Sequence, residues 1–261
     1  MRAVKLYSTG DIRTVDVDVP SPAKNEILIK VEAAGICGTD RHLYHGEFPS
    51  VPEKILGHEF SGIVVDSGET DIAEGARVTC DPNTWCGACS QCQRGRVNLC
   101  INNLATGIHR DGGFAEFCVF PASKAVVLPD KINPLYGAFC EPLACTLHGM
   151  DIGAASEGET VLVIGGGVIG LMAVQLAKLA GAEVLLLTRS PEKQALGLNI
   201  GADYAVGTES EVKNIWSEGA DLVVECAGVS ATVTLSHKLA RSGGRVVILG
   251  VISQGEQVPI E

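Results

Sequence analysis

The sequence predicts an α/β plus β chain: a β-rich domain followed by a doubly wound parallel sheet that lacks its last strand. Three observations carry this reading. A length of 261 residues, 46% of them apolar, suffices to bury the core of one large or two ordinary domains. Up to about residue 145, short β-type runs such as Glu26 to Glu32 and Gly62 to Val65 alternate with Gly, Pro and Asp. From about Glu159 the texture turns to apolar strand, glycine turn and helix-period segment, repeated several times, which is the pattern of a parallel sheet with helices on both faces. The expected domains are therefore 1–145 and 146–261.

In the second domain, strands are expected at Thr160 to Ile164, Glu183 to Thr188, Asp203 to Val206, Asp221 to Cys226 and Arg245 to Leu249. Helices are expected at Val168 to Leu179, Pro191 to Asn199, Ser210 to Trp216 and Ala231 to Ala240, with Gly or Asn near several of their ends. A doubly wound dinucleotide fold usually has six strands. The sequence ends at Glu261, soon after the fifth, and reads as a fragment of a longer protein or a shortened product. The edge of that fifth strand is then open to pairing or aggregation.

Charge and composition narrow the partners. Thirty-one acids against twenty Lys and Arg leave a net charge of −11, which repels a phosphate backbone, so nucleic acid is not an expected partner. The stretch Met1 to Gly10 has no apolar run, and nothing elsewhere approaches the length of a membrane span; the expected location is cytoplasmic, with no membrane partner. Ten cysteines are many for a reduced compartment unless a metal holds them. Cys86, Cys89, Cys92 and Cys100 stand as C-x2-C-x2-C-x7-C, with Gly87 and Gly95 allowing tight turns. Four thiolates complete a tetrahedral zinc shell with no position left for water, so this site is expected to hold a loop and do no chemistry.

A second motif binds phosphate. Val161 to Ile164 runs into Gly165-Gly-Gly167-Val168-Ile169-Gly170 and then a helix, the context that makes G-x-G-x-x-G informative. Gly165 makes the tight turn, Gly167 lets the backbone approach a pyrophosphate, and Gly170 permits close packing of helix on strand. The second strand ends Leu187-Thr188-Arg189-Ser190, with no carboxylate for a free ribose 2′-hydroxyl. Thr188, Arg189, Ser190 and, one turn on, Lys193 suit a 2′-phosphate instead, so NADP is the expected cofactor and NAD the alternative. Cys226-Ala227-Gly228 and Leu249-Gly250-Val251 follow the fourth and fifth strands, at the sheet edge where such folds place the nicotinamide half.

A third group supplies mixed ligands. Cys37 lies in Gly35-Ile-Cys37-Gly-Thr39-Asp-Arg-His42, Gly57-His58-Glu59 follows about twenty residues later, and Glu141 stands in Cys140-Glu141-Pro142-Leu143, near the domain boundary. Three such ligands leave a fourth position for water or substrate, the arrangement of a catalytic zinc. Cys37 as thiolate with one glutamate neutralises Zn2+, so one glutamate is expected to bind at a time. Adjacent residues on an extended segment point to opposite faces, which makes joint ligation by His58 and Glu59 awkward without a turn. Glu141 is therefore favoured as the resting ligand, with Glu59 behind it and able to exchange in.

In these ordered motifs, together with Asp111-Gly112-Gly113-Phe114-Ala115-Glu116, the chain resembles the zinc-dependent medium-chain dehydrogenase/reductase family, in particular its polyol, sugar and threonine dehydrogenase branch. The resemblance implies a GroES-like catalytic domain followed by a Rossmann domain, two zinc ions per chain, and reversible oxidation of a secondary alcohol to a ketone with NADP or NAD. It implies that Cys37, His58 and either Glu59 or Glu141 hold the catalytic zinc, and that Thr39 and His42 carry the alcohol proton toward solvent. A cysteine stands at the Glu141 position in the alcohol dehydrogenase branch, so the glutamate favours a polyol, sugar or hydroxy-amino acid. The partner is a small-molecule alcohol or ketone, and a homo-oligomer is expected of the family. The alternative is a shortened, catalytically inactive zinc- and nucleotide-binding protein.

Overall fold

A computed structural model of the chain describes residues 1–253 and 255–259. The chain divides into two units, Met1–Glu141 and Pro142–Glu261.

The first unit is built from short strands. Its elements are β1 (Arg2–Ser8), β2 (Asp11–Asp16), β3 (Glu26–Gly35), α1 (Gly38–His45), β4 (Lys54–Ile55), β5 (Glu59–Asp66), β6 (Arg77–Cys80), β7 (Asn83–Thr84), α2 (Ser90–Gln93), β8 (Leu104–Ala105), β9 (Phe117–Pro121), β10 (Ala125–Val127) and α3 (Pro134–Ala138). The sheets run β2-β1-β4, β10-β6-β5-β3-β9 and β7-β8, and every pairing in them is antiparallel. Ile27 and Ile29 of β3, Phe60 and Val64 of β5, Val78 of β6 and Phe120 of β9 interlock as one core. The Phe60 and Phe120 rings meet edge to face, with centroids 5.7 Å apart. β3 and β5 are packed side by side, and their register sets Gly35 opposite Glu59. The last residue of one strand and the first of the other are thereby fixed together.

Helix α4 (Cys140–Gly153) spans the division. The second unit then alternates β11 (Thr160–Ile164), α5 (Val168–Leu179), β12 (Glu183–Leu187), α6 (Pro191–Asn199), β13 (Tyr204–Val206), α7 (Glu209–Ile215), β14 (Ala220–Glu225), α8 (Ser230–Leu239) and β15 (Ala240–Ile248). All strand pairs are parallel, in the order β13-β12-β11-β14-β15. β11, first in sequence, lies in the middle, so the topological switch falls between β11 and β14, the place where open α/β sheets bind ligands. Apolar clusters cover both faces of the sheet, which is why its inner strands read as unbroken apolar runs. Strand β15 starts earlier than the expected Arg245, because the pairing shifts between Ala220↔Ala240 and Leu222↔Arg245. The intervening Ser242-Gly243-Gly244, with Gly243 at φ +75°, is a bulge within the strand, where the sequence suggests a turn before it. No helix among the described residues is long and apolar enough to cross a membrane.

Candidate active site

Cys37, His58 and Glu59 converge, with their ligand atoms within 4.8 Å of one another. Cys37 follows β3 at the N-cap of α1, where its N–H donates to Asp40 Oδ2 at 2.9 Å. His58 and Glu59 follow Gly57, whose φ of +92° turns the chain just before β5. A Cβ on Gly57 would lie 2.4 Å from the Phe114 ring, so only glycine fits this corner. Gly35 plays a complementary part: a Cβ there would lie 2.4 Å from Glu59 Oε2, so the missing side chain makes room for the carboxylate.

The structure brings Glu59, not Glu141, into the three-ligand group. His58 stands just before β5, which begins at Glu59, so strict strand alternation does not hold across the pair and their side chains meet although adjacent. Glu141 stays near enough for its charge to push the Glu59 pKa up.

The electrostatics of the group suit a cation. Burial drives the Cys37 thiol up to about 11, against N–H and O–H donation from Thr39. Burial also raises the Glu59 and Asp40 carboxyls, opposed for Glu59 by the Cys37 hydrogen bond and for Asp40 by His58. Asp40 Oδ1 and His58 Nδ1 are buried, 3.8 Å apart, and neither has a hydrogen-bond partner. Two carboxyls and a thiol crowded around one imidazole with so little water are costly as anions. A divalent ion reverses each of those shifts, and the S, N, O donor set is that of a catalytic zinc. With zinc held by Cys37, His58 and Glu59, Asp40 beside the imidazole would give the usual carboxylate support for a ligating histidine.

The structure does not join Thr39 to His42 by a hydrogen bond. The Thr39 hydroxyl is directed to the Cys37 sulfur, while His42 Nδ1 pairs with Glu47 Oε2 and its ring stacks on Phe48 with centroids 4.7 Å apart. Glu47 escaped the sequence reading; the signal for it is an acid five residues after His42, just past the glycine that ends α1.

The sulfurs of Cys86, Cys89, Cys92 and Cys100 also lie within 4.8 Å of one another. None of the ten cysteines forms a disulfide. Cys89 and Cys92 sulfurs are 3.5 Å apart, far from a bond and near the roughly 3.8 Å edge of a tetrahedron built on zinc–sulfur distances. Gly87 at φ +71° and Gly95 at φ +76° make the turns. The Cys86 N–H donates to Cys100 Sγ at 3.3 Å, and the Cys89 N–H to Cys86 Sγ at 3.4 Å. Backbone N–H groups of Cys92 and Ile101 hold the Cys89 thiol down at about 6, while burial and the neighbouring sulfurs push Cys92 up to about 12. Four sulfurs this close, one of them already held low, suit a structural zinc, which would stabilise all four as thiolates.

In the second unit the glycine loop joins β11 to α5. Gly165 has φ +108°, and a Cβ on Gly170 would lie 1.8 Å from the Gly165 carbonyl oxygen, so both are demanded by the protein itself. Gly167, the N-cap of α5, is different: its φ is −81° and a Cβ there would touch nothing. The free space beside that helix start fits a pyrophosphate approaching the backbone. Val168 is exposed and Ile169 half-buried.

Thr188 and Lys193 reach this loop, since a Cβ on Gly166 would lie 3.1 Å from Thr188 Oγ1 and 3.0 Å from Lys193 Cβ. Ser190 caps α6, accepting from the Lys193 N–H at 3.3 Å, and Arg189 is exposed. At the other side of the switch, Gly228 and Val251 backbones touch, while Leu249 turns its side chain onto Gly149 of α4. Cys226 is half-buried and Ala227 exposed. A residue the sequence reading passed over lies directly before them: Glu225, a fully buried carboxylate at the end of β14.

Comparisons with known proteins show the family. Residues 23–130 match the alcohol dehydrogenase GroES-like domain, and residues 168–261 match the zinc-binding dehydrogenase family. The chain is 36% identical to the sorbitol dehydrogenase of Halalkalibacterium halodurans, over 96% of this chain and 76% of that protein. It is 38% identical to an L-threonine 3-dehydrogenase of Bacillus licheniformis, over 90% of this chain and 71% of that one. A crystal structure from Sinorhizobium meliloti 1021, of a protein described as a zinc-binding dehydrogenase bound to NADP, has a TM-score of 0.96 and 54% identity, covering 100% of this chain and 79% of that chain.

Fold, metal groups and glycine loop together define a zinc-dependent alcohol oxidoreductase that uses a nicotinamide dinucleotide. The chain belongs to the zinc-dependent medium-chain dehydrogenase/reductase family, with a GroES-like domain followed by a Rossmann sheet.

Proposed function

We propose that the chain oxidises a secondary alcohol of a polyol, sugar or hydroxy-amino acid to the ketone, with NADP in preference to NAD as hydride acceptor. The observation that carries the reading is the Cys37, His58 and Glu59 group, a three-ligand set of mixed donors in the same chain as the glycine loop. When bound, zinc acidifies the alcohol hydroxyl and the nicotinamide ring accepts the hydride. Cys37 and Glu59 supply two negative charges against the two positive charges of the ion, and neutral His58 completes the set without overcharging it. Asp40 steadies His58 from behind. Glu141, whose charge reaches Glu59, would be the second carboxylate available to the metal.

Thr39 passes the alcohol proton to His42, which takes it on Nε2 because Nδ1 is held by Glu47. The Thr39 hydroxyl turns from the Cys37 sulfur to do so. The four-cysteine lobe holds a second zinc and shapes its loop. Arg189, Lys193, Thr188 and the still available Ser190 O–H bind the ribose 2′-phosphate. The similarity to sorbitol and threonine dehydrogenases supports the substrate class. We place the protein in the cytoplasm, where thiols stay reduced for zinc, as a homo-oligomer that meets neither nucleic acid nor membrane.

The test is turnover with NADP+ across sugars, polyols and hydroxy-amino acids, with zinc content measured on the same sample. Turnover of at least one secondary alcohol, abolished by Cys37→Ala, supports the assignment. Zinc and dinucleotide binding without turnover in any class points to the inactive binding protein.

A further inference from the structure

Glu225 has a function that neither the metal group nor the glycine loop accounts for. It ends β14 beside the topological switch, paired with Ile164 of β11 on one side and Ile248 of β15 on the other. Its side chain has no exposure to water. Oε1 accepts from the Ala227 N–H at 2.8 Å, the Gly228 N–H at 3.1 Å and the Thr232 hydroxyl at 2.7 Å. Oε2 accepts from the Gly228 N–H at 3.3 Å. Its own carbonyl accepts from the Leu249 N–H at 2.8 Å and the Gly250 N–H at 3.0 Å.

One residue therefore clasps both turns that leave the sheet on this side. The fit is close: a Cβ on Gly250 would lie 2.4 Å from Glu225 Oε2 and 2.3 Å from the Gly228 nitrogen. Gly165 of the phosphate loop packs on the same turn, since a Cβ there would lie 2.9 Å from the Ala227 nitrogen. A buried carboxylate at the end of an apolar strand is costly in hydration, and shorter polar residues could satisfy one N–H each. Three donors converge on Oε1 alone, a load that a charged carboxylate oxygen carries better than a neutral amide oxygen.

We infer that Glu225 is a positioning residue for the nicotinamide half of the dinucleotide: through Ala227, Gly228 and Gly250 it sets the ledge on which that half rests, without touching it. The inference rests on the dinucleotide reading above. In a sheet of this topology the adenine half lies on the β12 side of the switch and the nicotinamide half on the β14 side. Loosening the clasp therefore weakens one end of the cofactor and spares the other.

The experiment compares two ligands by titration calorimetry on the zinc-replete protein: NADP+ and 2′-phospho-ADP-ribose, which keeps the adenine half and pyrophosphate but lacks nicotinamide. Glu225→Ala strands the Ala227 and Gly228 N–H groups and should weaken NADP+ about tenfold, with 2′-phospho-ADP-ribose changed less than about twofold. Thr232→Val removes only the hydroxyl and should move NADP+ in the same direction by about threefold. Glu225→Gln keeps a neutral oxygen for the Oε1 donors but removes the charge and the Oε2 acceptor, and should fall between Glu225→Ala and the unmodified protein. Should Glu225→Ala not fold, the Thr232→Val and Glu225→Gln pair carries the comparison. Equal weakening of both ligands, or no weakening of NADP+, overturns the inference, the first by showing a merely structural role. If the unmodified protein binds neither ligand, it is the dinucleotide reading that fails.

Discussion

Arg189→Ala should erase most of the preference for NADP over NAD. Arg189 is exposed in the turn between β12 and α6, and Thr188 and Lys193 on either side of it stand against the glycine loop. The 2′-phosphate carries a charge of roughly −1.5 to −2 near neutral pH. At about 4 Å a unit charge pair is worth about 1 kcal/mol in water and about 4 kcal/mol at the effective dielectric of a protein surface. Solvent exposure puts Arg189 toward the lower figure, and its bidentate fork raises it, so about 1–2 kcal/mol is expected. That is roughly a 5- to 30-fold weakening of NADP+ with NAD+ almost unchanged. Lys193→Ala, a point charge on a flexible stem, should cost about twofold. The assay is a fluorescence titration with both cofactors at low and at high salt, since screening should shrink the preference in the unmodified protein and leave the variant flat. NAD+ binding as tightly as NADP+ to the unmodified protein, or Arg189→Ala weakening both alike, refutes the reasoning.

Other outcomes follow from the same geometry. After dialysis against a mild chelator, Glu59→Ala should retain less zinc than Glu141→Ala by elemental analysis, because Glu59 is the carboxylate within the ligand group; the reverse order would restore Glu141 as the resting ligand. Cys89→Ser should lower zinc from about two ions per chain to about one and reduce the melting temperature, since four thiolates close the structural shell; unchanged zinc content would remove the lobe as a metal site. Asp221 gives a pH signature. Its folded pKa, drawn to about 2 from 3.8 by the Thr160 N–H and the Arg241 guanidinium, lies below the unfolded value. The stability it contributes is therefore complete above about pH 4 and lost as pH falls through 2. With its side chain 21% exposed, the contribution is about 1–2 kcal/mol after allowance for screening. Asp221→Asn should be less stable by that amount at neutral pH in urea unfolding, with the gap closing toward pH 2; a gap constant with pH would mean the charge is not involved.

The parts of the molecule legible in sequence are those with local punctuation. Helices at Val168–Leu179 and Pro191–Asn199 have their ends where the glycine loop and the Ser190-Pro191 cap place them. The four-cysteine lobe was legible because its ligands lie within fifteen residues of one another along the chain. What escaped depends on the third dimension. Helix α4 buries Pro142, Thr146, Gly149, Met150 and Gly153, a mostly small-residue stripe that carries no strong apolar period. The meeting of His58 with Glu59 depends on where the strand begins: β5 starts at Glu59, so the alternation assumed for an extended His58-Glu59 pair does not apply. Glu225 was missed because an acid after Leu222-Val223-Val224 resembles the end of a strand turning to solvent, whereas the chain folds two turns over it.

The central claim is hydride transfer from a secondary alcohol to the dinucleotide. It is tested most directly by incubating the zinc-replete protein and NADP+ with polyols, sugars and hydroxy-amino acids deuterated at the carbinol carbon, and weighing the reduced cofactor by mass spectrometry. The account predicts NADPH heavier by one deuterium from at least one of these substrates, and no labelled cofactor from the Cys37→Ala protein. Unlabelled cofactor throughout, from a protein that binds zinc and NADP+, would contradict it.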